Sequence, residues 1–149
     1  GPACNARIPQ KKNRGFQGRV PRCPQGKKSQ VITGKVSHHN EPLVKIGLKL
    51  HGRIRQFSAV IDTGFNGYLA LPKELIDPHH WKLGGSEKYE VATGKLEVFD
   101  FYLGHIQWDK RWTPVYALTT YAKDILVGTK ILSNFILTID FIRKKLKIH

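Results

Sequence analysis

Apolar residues alternate with other residues over residues 43–50 of the chain, and residues 54–61 form a second extended stretch. An alternation with a period of two is typical of a strand with one buried face. His51 and Gly52 separate the two stretches, and a two-residue connection that contains glycine favours a tight turn. The pattern therefore predicts a β-hairpin whose second strand leads into a loop.

Two further elements are predicted in the middle of the chain. Residues 67–72 form a short apolar run that ends at proline, which predicts a strand followed by one helical turn over residues 73–76. Residues 87–103 contain two extended stretches on either side of a polar segment, which predicts a hairpin. Gly94 suits the tip of that hairpin, because glycine tolerates the backbone angles of tight turns.

The last third of the chain also reads as short strands. Residues 106–118 predict another strand pair, and residues 124–128 predict a buried strand that ends at glycine. Residues 129–135 predict one short helix, and residues 136–141 and 145–148 predict two final strands. Many short strands with little helix and no internal repeat predict an all-β barrel or sandwich.

Residues 1–30 have a different composition from the rest of the chain. They hold eight of the 25 Lys and Arg residues and none of the 11 Asp and Glu residues. The remaining 17 basic and 11 acidic residues leave residues 31–149 with a net charge of +6, against +14 for the whole chain. We predict a basic, disordered N-terminal arm over residues 1–30 and one folded domain over residues 31–149. Residues 1–2, Gly-Pro, are typical of what a cleaved purification tag leaves behind.

Composition and charge narrow the class of protein. A hydrophobic fraction of 40% in 149 residues suffices for one folded core. No apolar run reaches the roughly 18 residues that span a bilayer, so we expect a soluble, cytoplasmic protein without membrane contact. A basic arm attracts nucleic acid or acidic partners through weak electrostatic contacts, although a solvated tail has the same composition.

The candidate chemistry lies where the second strand of the first hairpin ends, at Asp62, Thr63 and Gly64. An apolar strand delivers the carboxylate into a loop, the threonine adds a hydroxyl, and the glycine permits close backbone approach. The triplet alone is common by chance. The histidine pairs at residues 38–39 and 79–80 lack the third ligand that a zinc site needs, so neither a metal nor a cofactor is expected.

The surroundings of the triplet resemble one family. Phe-Asn-Gly follows it at residues 65–67, Leu-Ala-Leu-Pro at residues 69–72, and Ile-Leu-Val-Gly occurs far downstream at residues 125–128. With the hairpin between them, these motifs resemble the retropepsin-like (clan AA) aspartic proteases, most of all the small prokaryotic type. The resemblance covers about residues 41–149. It implies a single-lobe closed barrel with one short helix near the C-terminus, which works as a two-fold homodimer.

The resemblance also implies roles for individual residues. Asp62 would be the catalytic aspartate, with Thr63 bridging to the partner subunit and Gly64 completing the loop. Phe65 and Asn66 would line the substrate cleft. Phe65 stands where the family usually has a small residue and Asn66 where viral members have an aspartate, so substrate preference does not transfer. The flap over the substrate would be Val91, Ala92, Thr93, Gly94 and Lys95. The segment that supports the catalytic loop would be Leu126, Val127 and Gly128.

Two functions remain open from the sequence. The first is an aspartic endopeptidase that hydrolyses peptide bonds with a water molecule activated by two carboxylates, one Asp62 from each subunit of a homodimer. Its substrate would be a peptide or protein, and its own N-terminal arm is one candidate. The second is a catalytically inactive barrel of the same fold that binds protein or nucleic acid through the basic arm.

Overall fold

The computed structural model describes residues 31–149, so the predicted basic arm, residues 1–30, lies outside the described residues. The described part consists of β-strands and one short 3₁₀ helix, η1. In chain order they are β1 (Ile32–Val36), β2 (Pro42–Leu50), β3 (Arg53–Ile61), β4 (Leu69–Pro72), η1 (Lys73–Leu75), β5 (Lys82–Glu90), β6 (Leu96–Trp108), β7 (Arg111–Thr120), β8 (Ile125–Val127), β9 (Leu137–Asp140) and β10 (Lys145–Ile148). Residues 31–149 contain no helix that is long and apolar enough to cross a bilayer.

The strands form one sheet that closes on itself. Their order is β5-β6-β7-β4-β8-β3-β2-β1-β10-β9, and β2 also pairs with β6. That additional pairing, Gly47 opposite Gln107, closes β2, β3, β8, β4, β7 and β6 into a barrel. The prediction of an all-β fold is confirmed, and the architecture is the barrel rather than the sandwich. Strands β5 and β9 are the two edges of the sheet.

The barrel interior is filled by the apolar positions that alternate along the strands. On β2, Val44, Ile46 and Leu48 are buried, whereas Lys45 and Lys49 between them are exposed. Burial of each such Ile or Leu side chain contributes about 1.5–3 kcal/mol to the free energy of unfolding. The period-two pattern of the sequence therefore describes β2 correctly, and β3 pairs with β2 from Arg53 to Val60.

The short helix predicted over residues 129–135 is wrong, because these residues form successive turns. Backbone hydrogen bonds span three residues rather than four, as from the Leu132 N–H to the Thr129 carbonyl (3.1 Å). The Ser133 hydroxyl donates to the Lys130 carbonyl (3.0 Å), which an α-helix would use for a backbone N–H four residues on. Serine thus competes with the helical hydrogen-bond pattern in this segment.

Strand boundaries differ from the prediction in two places. The hairpin and the strand pair predicted on either side of residue 104 share one continuous strand, β6, which runs from Leu96 to Trp108. Asp109 and Lys110 then turn the chain into β7, with φ angles of 50° and 64°. Strand β1 was not predicted, since its longest pairing is with β10 at the far end of the chain.

A buried carboxylate fixes the turn between β2 and β3. Asp77, 4% exposed, accepts hydrogen bonds from the backbone N–H groups of His79 (3.0 Å) and His51 (3.0 Å). The His79 N–H, and after it the His51 N–H, hold the pKa of Asp77 below its ordinary value of 3.8, against desolvation that raises it. A carboxyl group with a lowered pKa stabilises the fold when ionised, so this contribution is lost as the pH falls through the pKa of the folded protein.

Candidate active site

Asp62 lies at the carboxyl end of β3, where the strand leaves the barrel. Strand β3 runs parallel to β8, with Val60 opposite Leu126 and Ile61 opposite Val127. The Asp62 N–H continues this ladder with a hydrogen bond to the Val127 carbonyl (2.9 Å). Because Ile61 and Val127 are buried in the core, the half-buried Asp62 is attached directly to the packed interior of the barrel.

The loop itself orients the Asp62 side chain. The Gly64 N–H donates to Asp62 Oδ1 (2.9 Å), and the Phe65 N–H donates to the Asp62 carbonyl (3.1 Å). A Cβ at residue 64 would lie 3.2 Å from Asp62 Oδ1, which is a tight contact. Among residues 31–149, no donor is hydrogen-bonded to the second carboxylate oxygen, Oδ2. Thr63 and Gly64 are exposed, so this turn faces outward.

The segment after β8 holds the other side of the loop. The Gly128 N–H donates to the Tyr68 carbonyl (2.9 Å), and the Lys130 N–H donates to the Gly67 carbonyl (3.1 Å). A Cβ at residue 128 would lie only 2.1 Å from the Gly67 carbonyl oxygen, so the two backbones meet where only glycine fits. The structure thus brings the predicted support segment into direct contact with the Asp62 loop.

The hairpin of β5 and β6 carries the residues predicted as a flap. Its tip is closed by hydrogen bonds from the Val91 N–H to the Lys95 carbonyl (2.9 Å) and from the Gly94 N–H to the Val91 carbonyl (2.8 Å). Gly94 has a φ of +82°, which explains a glycine at this position. Ala92, Thr93, Gly94 and Lys95 are exposed, so the tip is in contact with solvent rather than with the barrel.

An aromatic cluster that the sequence analysis missed joins the hairpin to the Asp62 loop. Its members are Phe65, Tyr68, Tyr89, Phe99, Phe101, Leu103, Tyr116 and Leu118. The Tyr116 ring lies 5.8 Å from the Tyr68 ring and 6.0 Å from the Phe101 ring, centroid to centroid. The cavity among these side chains measures only about 10 Å³, roughly the space of one water molecule. Burial raises the pKa of Tyr116. The available signal was the concentration of aromatic residues in the loop, the hairpin and β7.

The two residues predicted to line a substrate cleft differ in environment. Phe65 is half-buried, and its ring occupies the space that a side chain at residue 67 would fill, with Phe65 Cζ 2.5 Å from that Cβ position. Asn66 is exposed beside it. Phe65 therefore packs the loop against the aromatic cluster, whereas Asn66 is the one of the pair that is accessible to a ligand.

Three other aspartates have hydrogen-bond partners elsewhere in the fold. Asp77 accepts from two backbone N–H groups, Asp100 accepts from the Ser86 hydroxyl (2.8 Å), and Asp140 accepts from the Ile142 N–H (3.0 Å). None of these contacts brings a second carboxylate to the Asp62 loop. The geometry of the described chain therefore supplies one oriented carboxylate at this site.

Comparison with known proteins supports the fold. No family model matches the sequence, and no curated protein matches it either. Among solved structures, the chain is similar to a retropepsin-like aspartic protease from Rickettsia conorii, with a TM-score of 0.56 and 18% sequence identity. The match covers 80% of this chain and 89% of that one. The chain thus has a retropepsin-like fold, as the motifs around Asp62 imply.

Proposed function

We propose that this protein is an aspartic endopeptidase that acts as a homodimer, with Asp62 of each subunit in one active site. The observation that carries the proposal is the Asp62 loop: a half-buried carboxylate at the end of a core strand, oriented by the Gly64 N–H, in a retropepsin-like fold. An exposed hairpin that packs against the same loop supports it, since it could cover a bound peptide.

The chemistry requires a second carboxylate. Two carboxyl groups about 3 Å apart cannot both ionise, so they share one proton. The ionised group takes a proton from water, which attacks the peptide carbonyl, while the protonated group donates to the carbonyl oxygen. A two-fold axis through the site would bring Asp62 against its own copy, because an isologous contact places the same residue on both sides.

The other residues of the site would position this pair. Thr63 is exposed next to Asp62, where its hydroxyl could bond to the partner subunit. The Gly64 N–H, an uncharged donor, holds Asp62 Oδ1 in place. Asn66 would contact the substrate, and Phe65 would shape the cleft from behind. The residues that would close over the peptide are Val91, Ala92, Thr93, Gly94 and Lys95. The residues that would hold the loop against the barrel are Leu126, Val127 and Gly128.

A surface suited to self-association exists at one edge of the sheet. Strand β9 is an edge strand, so one side of its backbone is open to pairing. Large apolar side chains flank it: Ile136 is 63% exposed, Phe141 52% and Ile142 95%. Exposed apolar groups next to an open strand edge are typical of interaction surfaces. We propose that this edge contributes to the dimer.

The direct test is Asp62→Asn, which keeps the size of the side chain and removes the ionisable group. We expect the rate of peptide cleavage to fall by at least about 10²–10⁴-fold. The rate is measured by mass spectrometry on a mixture of peptides at acidic and neutral pH. The variant should keep the circular dichroism spectrum and sedimentation coefficient of the wild type. The wild-type rate should pass through a maximum with pH, since the active pair holds one proton.

The matched control is Asp124→Asn, at an exposed aspartate outside the triplet. It should cleave like the wild type. Cleavage by Asp62→Asn at the wild-type rate, or full activity from a species that sediments as a monomer, would contradict the proposed mechanism.

A further inference from the structure

A groove lies on the outside of the barrel, well away from Asp62. Strand β1 pairs with β2 only at Lys35 opposite Leu43 and Val36 opposite Pro42, and its earlier residues diverge from β2. The gap has a volume of about 340 Å³ and is lined by Thr33 and Lys45 on the strand side and by the β6–β7 turn on the other. Ligand sites commonly measure roughly 300–1,000 Å³, so this groove, the β1 groove, is large enough for a small group.

A pair of side-chain amides forms part of the groove lining. Gln56 Nε2 donates to Gln107 Oε1 (3.0 Å), and both residues line the groove. Gly47 makes the pair fit, because a Cβ there would lie 2.8 Å from Gln107 Oε1 and 3.0 Å from Gln56 Nε2. The pair leaves one amide NH₂ group and one carbonyl oxygen for a ligand. Such amides can bond to the edges of nucleic-acid bases.

Lysines surround the groove without acidic partners. Lys45 and Lys110 line it, and the strand register continues the positive charge, with Lys145 directly opposite Lys35 and Lys147 opposite Thr33. Like charges directly opposite each other on neighbouring strands destabilise a sheet. Within residues 31–149, no ion pair joins these lysines to a carboxylate. The lining includes one acidic residue, Asp109.

The turn that carries Lys110 has an unfavourable backbone. A two-residue hairpin turn with two positive φ angles usually has glycine in its second position, as at His51 and Gly52, whose φ angles are 49° and 78°. Asp109 and Lys110 have φ angles of 50° and 64° with no glycine. A lysine held in this conformation is strained, and residues in such conformations cluster at functional sites. The turn places this charge at the groove.

An exposed aromatic ring lies beside the groove. Trp112 is opposite Gln107 in the β6–β7 ladder, so the two side chains share a face of the sheet. Trp112 is 38% exposed, whereas the other two tryptophans, Trp81 and Trp108, are buried at 5% and 3% exposure. Bases of single strands stack on such rings.

From these observations we propose that the β1 groove binds single-stranded nucleic acid. Phosphates contact Lys45, Lys110 and the neighbouring lysines, a base stacks on Trp112, and the glutamine amides contact base edges. A single strand fits the groove, whereas a duplex stays outside it and offers no free base.

This site is separate from the proposed active site. Gln56, in the groove, and Asp62 are six residues apart on an extended strand, which corresponds to about 20 Å. Binding of nucleic acid therefore does not require Asp62, and it does not depend on whether the protein is a peptidase.

The test uses the full chain and a fluorescein-labelled oligothymidylate of about 16 nucleotides, with binding measured by anisotropy. The variant Lys35→Gln, Lys45→Gln, Lys110→Gln should bind about tenfold or more weakly than the wild type, and its salt slope should be smaller by about 2, near 0.7 per lost phosphate contact. The matched control, Lys73→Gln, Lys82→Gln, Lys123→Gln, removes the same charge from exposed positions on other elements and should lose much less.

Further readouts separate the proposal from bulk charge attraction. Tryptophan fluorescence should be quenched on binding, since Trp112 is the exposed tryptophan, and Asp62→Asn should bind like the wild type. A duplex of the same length and polyglutamate should both bind more weakly than the oligothymidylate. Equal losses in the two triple variants, or equal affinity for oligothymidylate, duplex and polyglutamate, would overturn the proposal.

Discussion

The contact between Gly128 and Gly67 allows a sharp test of how the barrel holds Asp62. An alanine Cβ at residue 128 would lie 2.1 Å from the Gly67 carbonyl oxygen and 2.8 Å from Phe65 Cδ2. Cβ atoms essentially never approach a non-bonded heavy atom within 3.0 Å, so the two backbones would have to separate by at least 0.9 Å. Hydrogen bonds of 2.9 and 3.1 Å join these segments and would be stretched.

Two effects of different size follow from Gly128→Ala. Overpacking of this kind costs about 1–3 kcal/mol in free energy of unfolding. Displacement of a catalytic group by about 1 Å can cost about 10²-fold in rate. We therefore expect a folded variant with kcat/KM lowered by about 10²-fold, measured by peptide cleavage, and a modest loss of stability, measured by urea unfolding.

Gly52→Ala is the matched control. Gly52 has a φ of +78° with no atom within 4 Å of its Cβ position, so alanine would be strained there without pushing on a neighbour. The strain costs about 1–2 kcal/mol, similar to the cost at Gly128. The control should lose stability and keep its activity. Wild-type kcat/KM in Gly128→Ala, or an equal loss of activity in both variants, would refute the idea that this contact positions Asp62.

Two more predictions concern stability and assembly. The lowered pKa of Asp77 means that its ionised form stabilises the fold above about pH 4 and that this contribution disappears as the pH falls further. Asp77→Asn should therefore have a lower melting temperature than the wild type at neutral pH, and its melting temperature should decline less in acid. Parallel curves of melting temperature against pH for the two proteins would contradict this. Ile142→Glu places a charge on the proposed apolar edge, so it should lower the dimer affinity measured by sedimentation about tenfold or more and lower peptidase activity at low protein concentration. The control is Ile54→Glu, at a residue on β3 that is 49% exposed. An unchanged dimer affinity in the Ile142 variant would exclude this edge.

The sequence predicted the elements whose signal is local. Strands β2 and β3 are visible because β2 alternates and a short turn at His51 and Gly52 joins it to a second extended stretch. The Asp62 loop is visible because its motif is contiguous. Even the contact with β8 could be expected, since the apolar segment that ends at Gly128 follows the family order. The strands and the loop motif depend on neighbours in the chain, whereas the contact with β8 joins distant segments and was expected only from the resemblance.

Features that arise from pairing between distant segments were missed. Strand β1 is stabilised by β10, with Ile32 opposite Ile148, and a five-residue strand gives little periodic signal on its own. The groove exists only because β1 diverges from β2, which no local pattern reports. The helix predicted after Gly128 is absent for a local reason, because the Ser133 hydroxyl bonds to a backbone carbonyl that the helix would need.

The aromatic cluster couples movement of the hairpin to the position of the Asp62 loop. Tyr89 and Phe101 belong to the hairpin, while Phe65 and Tyr68 belong to the loop that begins at Asp62, and all pack in one cluster of rings. Movement of the hairpin to admit a peptide would therefore disturb the aromatic cluster that packs against the Asp62 loop. In the proposed mechanism, the loop at Asp62 would therefore be fully ordered only once the hairpin has closed again over the bound peptide.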